Sequence, residues 1–514
     1  MIKTDKYETN PALSGRVPYY IQQKTSGMKK IFYYFTAIIL FCCGLAGCND
    51  YLTTPVPNLS DENFFSSDDA ALTALAGAYD PIGWIEYSQY LDWAIGDVVS
   101  DDAVKGGGGD SDQPQMYDLE HFNANAQTPT LSIVWTQLYI GINRANRLIK
   151  GVQGNGNISD AMQKRIVAEA KFLRAYNNFC LIKVFGSFPI VDHLLEVNEY
   201  QKPRNTLEEC WKFIEDDLKD AMAGLPKKSE MPESELGRAT WGSAAGFLTK
   251  AYIFEEKWKD AEDMATQIVN SKEYDLQPNY ADLFKIETDN GIESVFDIQR
   301  KAVVTPLYGD QAEASIVEIY QRCRDTRNGG WGFDQPTQDL YDEFEAGDPR
   351  RDLTIISDGM VLWPGTADEE VEYTKRDPVT NPDAVTGYNK RKGTLPKSQR
   401  GTPEDQSGLN VRVIRFADVL LWQAEAAVHN GSDWETPLNR VRARVGLGKT
   451  PISDPLQAVY HERRVELALE SHRYWDLVRT GRGHLMDGYT DNKRYFPIPQ
   501  TELSLNPNLT QNPY

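Results

Sequence analysis

Apolar positions recur along this chain mostly at the spacing of helices. Leu131, Val134, Trp135, Leu138, Tyr139, Ile142 and Ile149 keep an i, i+3, i+4, i+7 pattern, and Met162, Ile166, Ala170, Leu173 and Tyr176 repeat it. Turn formers at 151–156 separate the two segments, so they are expected to fold back as an antiparallel pair. Upstream, Ser66-Ser67-Asp68-Asp69 sets capping hydroxyls and first-turn acids ahead of helix formers at 70–79. Residues 207–225, 241–254 and 258–270 continue the helical series. From 288 to 409 the period fails and Gly, Pro, Asn and Asp become dense, as in Asn328-Gly329-Gly330-Trp331-Gly332 and Trp363-Pro364-Gly365. Helices are expected again at 411–429, 437–444 and 456–480.

Ala244, Leu248, Ala251, Tyr252, Ala261 and Ala265 put small residues where two helices must approach and large ones where the gap must be filled. This pair resembles a tetratricopeptide unit. The expected fold is mainly α: a tetratricopeptide-like scaffold over about 60–285 and 411–480, a loop-rich insert over about 288–409, and a tail at 481–514. A structureless stretch as long as that insert usually carries function or a subdomain.

The densest apolar block is Ile31 to Leu45, after Met28-Lys29-Lys30 and before Leu45-Ala46-Gly47-Cys48. A basic start, an apolar run and a small-residue site are the parts of a signal peptide. Its ending on cysteine resembles the lipobox of bacterial lipoproteins, which implies lipidation of Cys48. The alternative is a retained anchor, for which the run is near the lower limit of length. Residues 1–27 do not read as part of the mature protein, 28–47 read as the signal, and 48–514 as the mature chain, opening on a short spacer with Pro55 and Pro57.

Charge narrows the partners. The chain holds 54 basic and 75 acidic residues; without the six basic and two acidic ones of 1–47, 48 face 73, a net of −25. Nucleic acid and anionic lipid are disfavoured by repulsion. Beyond Cys42, Cys43 and Cys48, only Cys180, Cys210 and Cys323 remain, read as buried thiols, with a Cys180–Cys210 bridge as the alternative. The six histidines show no metal-ligand spacing, and no nucleophile elbow or phosphate-binding loop stands in context, so no cofactor is implied. Asp97, Asp101, Asp102, Asp110 and Asp112 lack the spacing of a known calcium loop. Glu470, Arg473, Asp476 and Arg479 alternate in sign at i, i+3, which reads as a structural ladder along one helix.

Tryptophan is the more informative residue. Trp93 ends a row with Trp84, Tyr87 and Tyr90 and precedes Asp101, Asp102 and the run Gly106 to Gly109, which reads as a mobile loop; Trp331 and Trp363 lie inside Gly-rich loops. An indole on a loop needs burial or a ligand. In an exported acidic protein the ligand suited to a flat ring is a sugar, whose C–H face stacks while Asp, Asn or Arg binds its hydroxyls. The competing reading for each ring is packing beneath its own loop.

Several blocks together resemble the SusD/RagB family. They are Arg415-Phe416-Ala417-Asp418-Val419-Leu420-Leu421, Leu438-Asn439-Arg440-Val441-Arg442, Glu462-Arg463-Arg464-Val465-Glu466-Leu467, His472-Arg473-Tyr474-Trp475-Asp476-Leu477 and the closing Phe496-Pro497-Ile498-Pro499-Gln500. Upstream, Gly141-Ile142, Arg144-Ala145-Asn146 and Ala168 to Tyr176 are similar too. The resemblance implies a non-enzymatic outer-membrane lipoprotein, anchored through Cys48, that captures oligosaccharide and passes it to a SusC-like TonB-dependent transporter. By position and chemistry, Trp93, Asp101, Asp102, Trp331 and Trp363 are the candidate glycan-binding residues. The rival classes are a surface glycan hydrolase and a protein- or peptide-binding helical scaffold.

Overall fold

The computed structural model describes residues 64–84, 88–302, 314–324, 329–369, 385–400 and 407–514, without the side chains of 85–92. Cys48, the apolar run before it, Tyr87 and Asn328 lie outside the described residues. Helix α1 (Asp68–Tyr79) starts where the Ser67 hydroxyl accepts the Ala70 amide. A π-helical segment, Ser88–Val98, leads to strand β1 (Ala103–Gly106) and helix α2 (Pro114–Glu120). The long pair α3 (Pro129–Val152) and α4 (Asp160–Phe185) follows. Next come α5 (Leu207–Gly224), opened by a reciprocal Thr206–Glu209 capping box, and the pair α6 (Trp241–Phe254) and α7 (Trp258–Ser271).

Strand β2 (Ser294–Ile298), helix α8 (Val317–Gln321), strand β3 (Phe333–Pro336), helices α9 (Gln338–Glu343) and α10 (Arg350–Thr354), and strands β4 (Ile355–Ile356) and β5 (Asn389–Lys390) make up the irregular region. Strand β6 (Val411–Arg415) returns the chain to helices α11 (Phe416–Asn430), α12 (Glu435–Arg444), α13 (Pro455–Glu466), α14 (Arg473–Arg479) and α15 (Gln500–Leu505).

Each long helix packs on its neighbours in the order α1, α3, α4, α5, α6, α7, α11, with α12 and α13 on α11. This is the stacking of a helical-repeat array, in which a unit buries its apolar face only against the next. Close approach of α3 and α4 is set at Gly141, where a Cβ would meet the Asn177 side chain at 2.6 Å. Phe172, Tyr176 and Phe179 of α4 meet Phe247 of α6 at centroid distances of 5.3–5.8 Å, mostly edge to face. The tail is strapped on: the Phe496 amide donates to the Val184 carbonyl, and Asn512 Nδ2 donates to those of Phe185 and Phe496.

Two local expectations need correction, and the reading of the cysteines as buried thiols holds. Residues 411–415 are a strand, not the first turn of a helix. Val411, Val413 and Ile414 suit a pleated sheet, and β6 pairs antiparallel with β2 inside the main core. The helix expected over 456–480 is broken, because Leu469 and Ser471 take positive φ values of 60° and 66° between α13 and α14. Cys180 and Cys210 are separate buried thiols rather than a bridge, and burial pushes Cys210 up to about 11. Among the described residues no helix is long and apolar enough to cross a membrane.

Candidate functional site

Strands β1 and β3 pair antiparallel, with Ala103 opposite Pro336 and Gly106 opposite Phe333. This register carries the Gly106–Gly109 run beside the Trp331 loop, and the Gly107 amide donates to the Gly332 carbonyl at 2.8 Å. Gly107 has a φ of +69°, and a Cβ there would lie 2.5 Å from the Phe333 ring. Only glycine serves at this position.

The glycine run is wrapped around a cation. Lys105 Nζ donates to the carbonyls of Gly106, Gly109 and Asp112 at 3.0, 2.8 and 2.8 Å. The reading of this run as a mobile loop is thus corrected, since three carbonyls that water would otherwise hold are tied to one buried ammonium. Asp112 accepts the Gly108 amide at 2.9 Å and faces the half-exposed Arg324 at 3.6 Å.

Trp331 lies half-buried at this edge, its amide donating to the Ile319 carbonyl and its ring set against Tyr320 at a centroid distance of 4.4 Å. Tyr320 rests in turn on Phe333 and on Trp93, at 5.4 and 5.6 Å. Trp93 and Trp331 therefore belong to one aromatic cluster, brought together across more than 200 residues of chain. Their exposures differ. Trp93 is 1 % exposed, so it supports the cluster from beneath and offers no outer face for stacking.

Asp101 and Asp102 stand at the other end of β1. Asp101 accepts two 2.7 Å bonds from Arg473, and Asp102 accepts Arg464 Nε at 2.7 Å. Burial raises the pKa of Asp101, but the Arg473 fork and Arg464 outweigh it and leave the group lowered; for fully buried Asp102, burial prevails and the group is raised. Both carboxylates are committed to arginines, and the Asp101 and Asp102 carbonyls hold Thr337 at the start of α9. They fix the frame of the site, Asp102 buried and Asp101 largely so. Trp363, at φ +48°, packs half-buried with Met360 over Cys323, Ile356 and Leu362, in a cluster separate from that of Trp331.

Four of the five aspartates that could suggest calcium are divided in the same way, and Asp110 is exposed. Asp97 accepts the Ser471 amide at 2.7 Å, Asp101 and Asp102 hold arginines, and Asp112 serves the glycine loop. Among the described residues no group of three or more His, Cys, Asp or Glu side chains converges as metal ligands would.

Sequence reasoning missed Lys105, Tyr320 and Arg324. A Lys one residue ahead of four glycines is a readable signal for a lysine-filled loop. Tyr320 and Arg324 carry none, because only the β1–β3 pairing brings them to the site.

A second concavity of about 1140 Å³ lies between α3, residues 189–202 and α15. Trp135, Tyr139 and Pro189 line it, together with Val197, Tyr200 and Leu505, which are 82, 62 and 72 % exposed.

A helical-repeat scaffold that carries a loop-built aromatic edge is the architecture these elements define. Residues 287–494 match the sequence model of the SusD family, and residues 73–253 match one described as starch-binding associating with outer membrane. A SusD-like protein of Bacteroides ovatus is 27 % identical over 480 residues, 86 % of this chain and 81 % of its own. The starch-binding protein SusD of Bacteroides thetaiotaomicron is 24 % identical over 471 residues, 78 % of this chain and 81 % of its own. A solved laminarin-binding SusD-like protein superposes with a TM-score of 0.75 at 28 % identity, covering 87 % of this chain and 99 % of that one. The chain belongs to the SusD/RagB family.

Proposed function

We propose that this protein is a non-enzymatic, surface-exposed lipoprotein that captures oligosaccharide at the Trp331 edge and hands it to a SusC-like TonB-dependent transporter. The observation that carries the reading is the Trp331 indole, braced by Tyr320 and left half-open beside Asp112 and Arg324. A pre-positioned ring supplies stacking at little entropic cost, and an adjacent carboxylate and guanidinium supply acceptors and donors for hydroxyls. The laminarin and starch in the relatives' names support a glycan as the ligand class. Trp363 is assigned a secondary stacking role, Trp93 a supporting one, and Asp101 and Asp102 positioning roles. Lipidation of Cys48 and the groove rimmed by Val197, Tyr200 and Leu505 are assigned to anchoring and to transporter docking, since exposed apolar groups of that size favour a partner.

A glycan panel run on affinity gels tests this reading. Trp331→Ala is expected to weaken retention of the bound glycan by about 1.5–3 kcal/mol, the range for burying a large apolar side chain, without unfolding the protein. Unchanged mobility would remove Trp331 from the site. Released product on incubation with oligosaccharides would place the protein among hydrolases instead.

A further inference from the structure

A second candidate site is a partly open cavity of about 130 Å³ lined by Trp93, α4, α6, α8, β6 and the turn at 469–472. At about 30 Å³ per water this is space for roughly four waters, enough for a small oxyanion. Its wall includes Lys183, Lys250, Lys390, Lys392, Arg412 and His472, against Glu318 and Glu470. Much of that charge is neutralised locally. Lys390 donates to Asp334 at 3.0 Å and Lys392 to Glu470 at 2.9 Å, while Arg412 reaches Asp289 and Asp297 at 2.7 and 3.0 Å. Glu470 is further held by Arg415 at 2.7 Å, and Glu318 faces Arg322 and Arg400.

What is left over is positive. Lys250 is 8 % exposed and, among the described residues, its ammonium has no carboxylate within ion-pair reach and no hydrogen-bond acceptor, with Asp418 and Asp476 acting on it only from further off. The Phe179 and Trp422 rings approach it, at 5.6 and 6.0 Å. Lys183 likewise has a single ring neighbour, Trp475 at 4.8 Å. His472 makes no hydrogen bond and stands 3.9 Å from Asp418, whose carboxylate already accepts the Arg415 amide. An unpaired ammonium in low dielectric is among the costliest groups a fold carries, and ring faces offset only part of that cost. A protein with a formal net charge of −21 thus keeps two lysines without a paired carboxylate among the described residues, beside an imidazole that burial holds neutral, around one space.

We propose that this cavity binds a small oxyanion, the carboxylate, sulfate or phosphate group of a ligand or a free ion, held by Lys183 and Lys250 with His472 as a third polar contact. Burial, reinforced by Lys183, lowers Lys250 to about 8, so it is still largely protonated at neutral pH and charged for the task. Trp93, which supports the Trp331 cluster, also lines this cavity, but none of the three anion contacts belongs to that cluster.

The test is a 31P NMR titration of inorganic phosphate with the full chain, repeated with Lys250→Met and Trp331→Ala. Saturable broadening is expected in the parent and in Trp331→Ala. In Lys250→Met the affinity is expected to fall by about tenfold or more, the equivalent of one charge-assisted hydrogen bond. Lys250→Met removes an unpaired buried charge, so it is expected to melt above the phosphate-free parent and to gain nothing from phosphate, which separates lost binding from lost folding. Displacement of phosphate by glucuronate would assign the anion to an acidic sugar, and its persistence would assign a free ion. Absence of saturable binding by both phosphate and glucuronate, or equal affinity in Lys250→Met, would overturn the proposal.

Discussion

Glu466 has no exposed surface and is contacted by three guanidinium groups, those of Arg350 at 3.0 Å, Arg415 at 2.9 Å and Arg444. Glu462 on the same face of α13 binds Arg350 at 2.6 Å and Arg442 at 2.9 Å. Burial alone would raise the Glu466 pKa, but Arg444, Arg415 and Arg350 reverse that and hold it far below the usual carboxylate range. Removing one member of such a network strands the others, so Glu466→Gln is expected to cost about 3–5 kcal/mol in urea denaturation at pH 7. The group is depressed in the folded state, so its contribution is complete above the unfolded value of about 4.3 and fades as the pH falls below it. The gap between parent and variant should therefore be flat from pH 5 to 8 and narrow in acid; a gap that stays constant to pH 3 would refute the assignment.

Asp418 has the opposite sign. Burial pushes it up to about 6, so ionising it costs stability as the pH rises from about 4 through 6. Asp418→Asn keeps an oxygen for the Arg415 amide and is expected to gain on the parent over that interval, as followed by denaturation midpoints. Little of this was legible beforehand. The acids were visible at helical spacing, but Arg350 is 116 residues from Glu466, and pairing at that range is set by topology alone.

Elements were legible where periodicity was long and failed where the chain turns without glycine or proline. Helices α3 to α7 follow their apolar stripes closely. The break after α13 does not announce itself, because Leu469 and Ser471 adopt positive φ only under tertiary constraint. Lys392 Nζ takes the Glu466 and Ala468 carbonyls at 3.2 and 2.8 Å, and Lys390 Nζ takes that of Leu469 at 2.7 Å. Gly96 packs against Ser471, where a Cβ would fall 2.6 Å from backbone. The supposed single-helix ladder dissolves accordingly: Glu470 pairs with Arg415 and Lys392, Arg473 with Asp101, and Arg479 with Glu425, leaving Asp476–Arg479 as its one surviving i, i+3 pair.

The Gly106–Gly109 loop follows the same logic, with Lys105 as its core. Lys105→Met deletes three charge-assisted bonds while keeping the aliphatic stem, and amide exchange over 106–112 is expected to accelerate by at least tenfold. Glycan affinity should fall with it, because the loop is the neighbour of Trp331. Exchange unchanged from the parent would show that the loop is held by its β1–β3 strands and not by the ammonium.

At the scale of the whole molecule, the helical array and the binding edge have different sources in the chain. The array is encoded locally, helix by helix, whereas the edge is assembled from residues 93, 105–112, 320–324 and 331, which no local pattern connects. On the function proposed above, capture has to be coupled to transport. We assign that coupling to a lipid on Cys48 followed by a short proline-punctuated spacer, which would keep the binding edge at millimolar effective concentration over one transporter even if direct contacts are weak. A Cys48→Ala protein that is exported without lipid is then expected to bind glycan as the parent does while failing to sediment with membranes, and to support uptake poorly at limiting glycan. Raising the glycan concentration should restore part of the uptake, because tethering matters most when encounter limits flux. Full uptake by the unlipidated protein at low glycan would show that the contacts made by the folded region, such as the groove at Val197, Tyr200 and Leu505, suffice to hold it on the transporter.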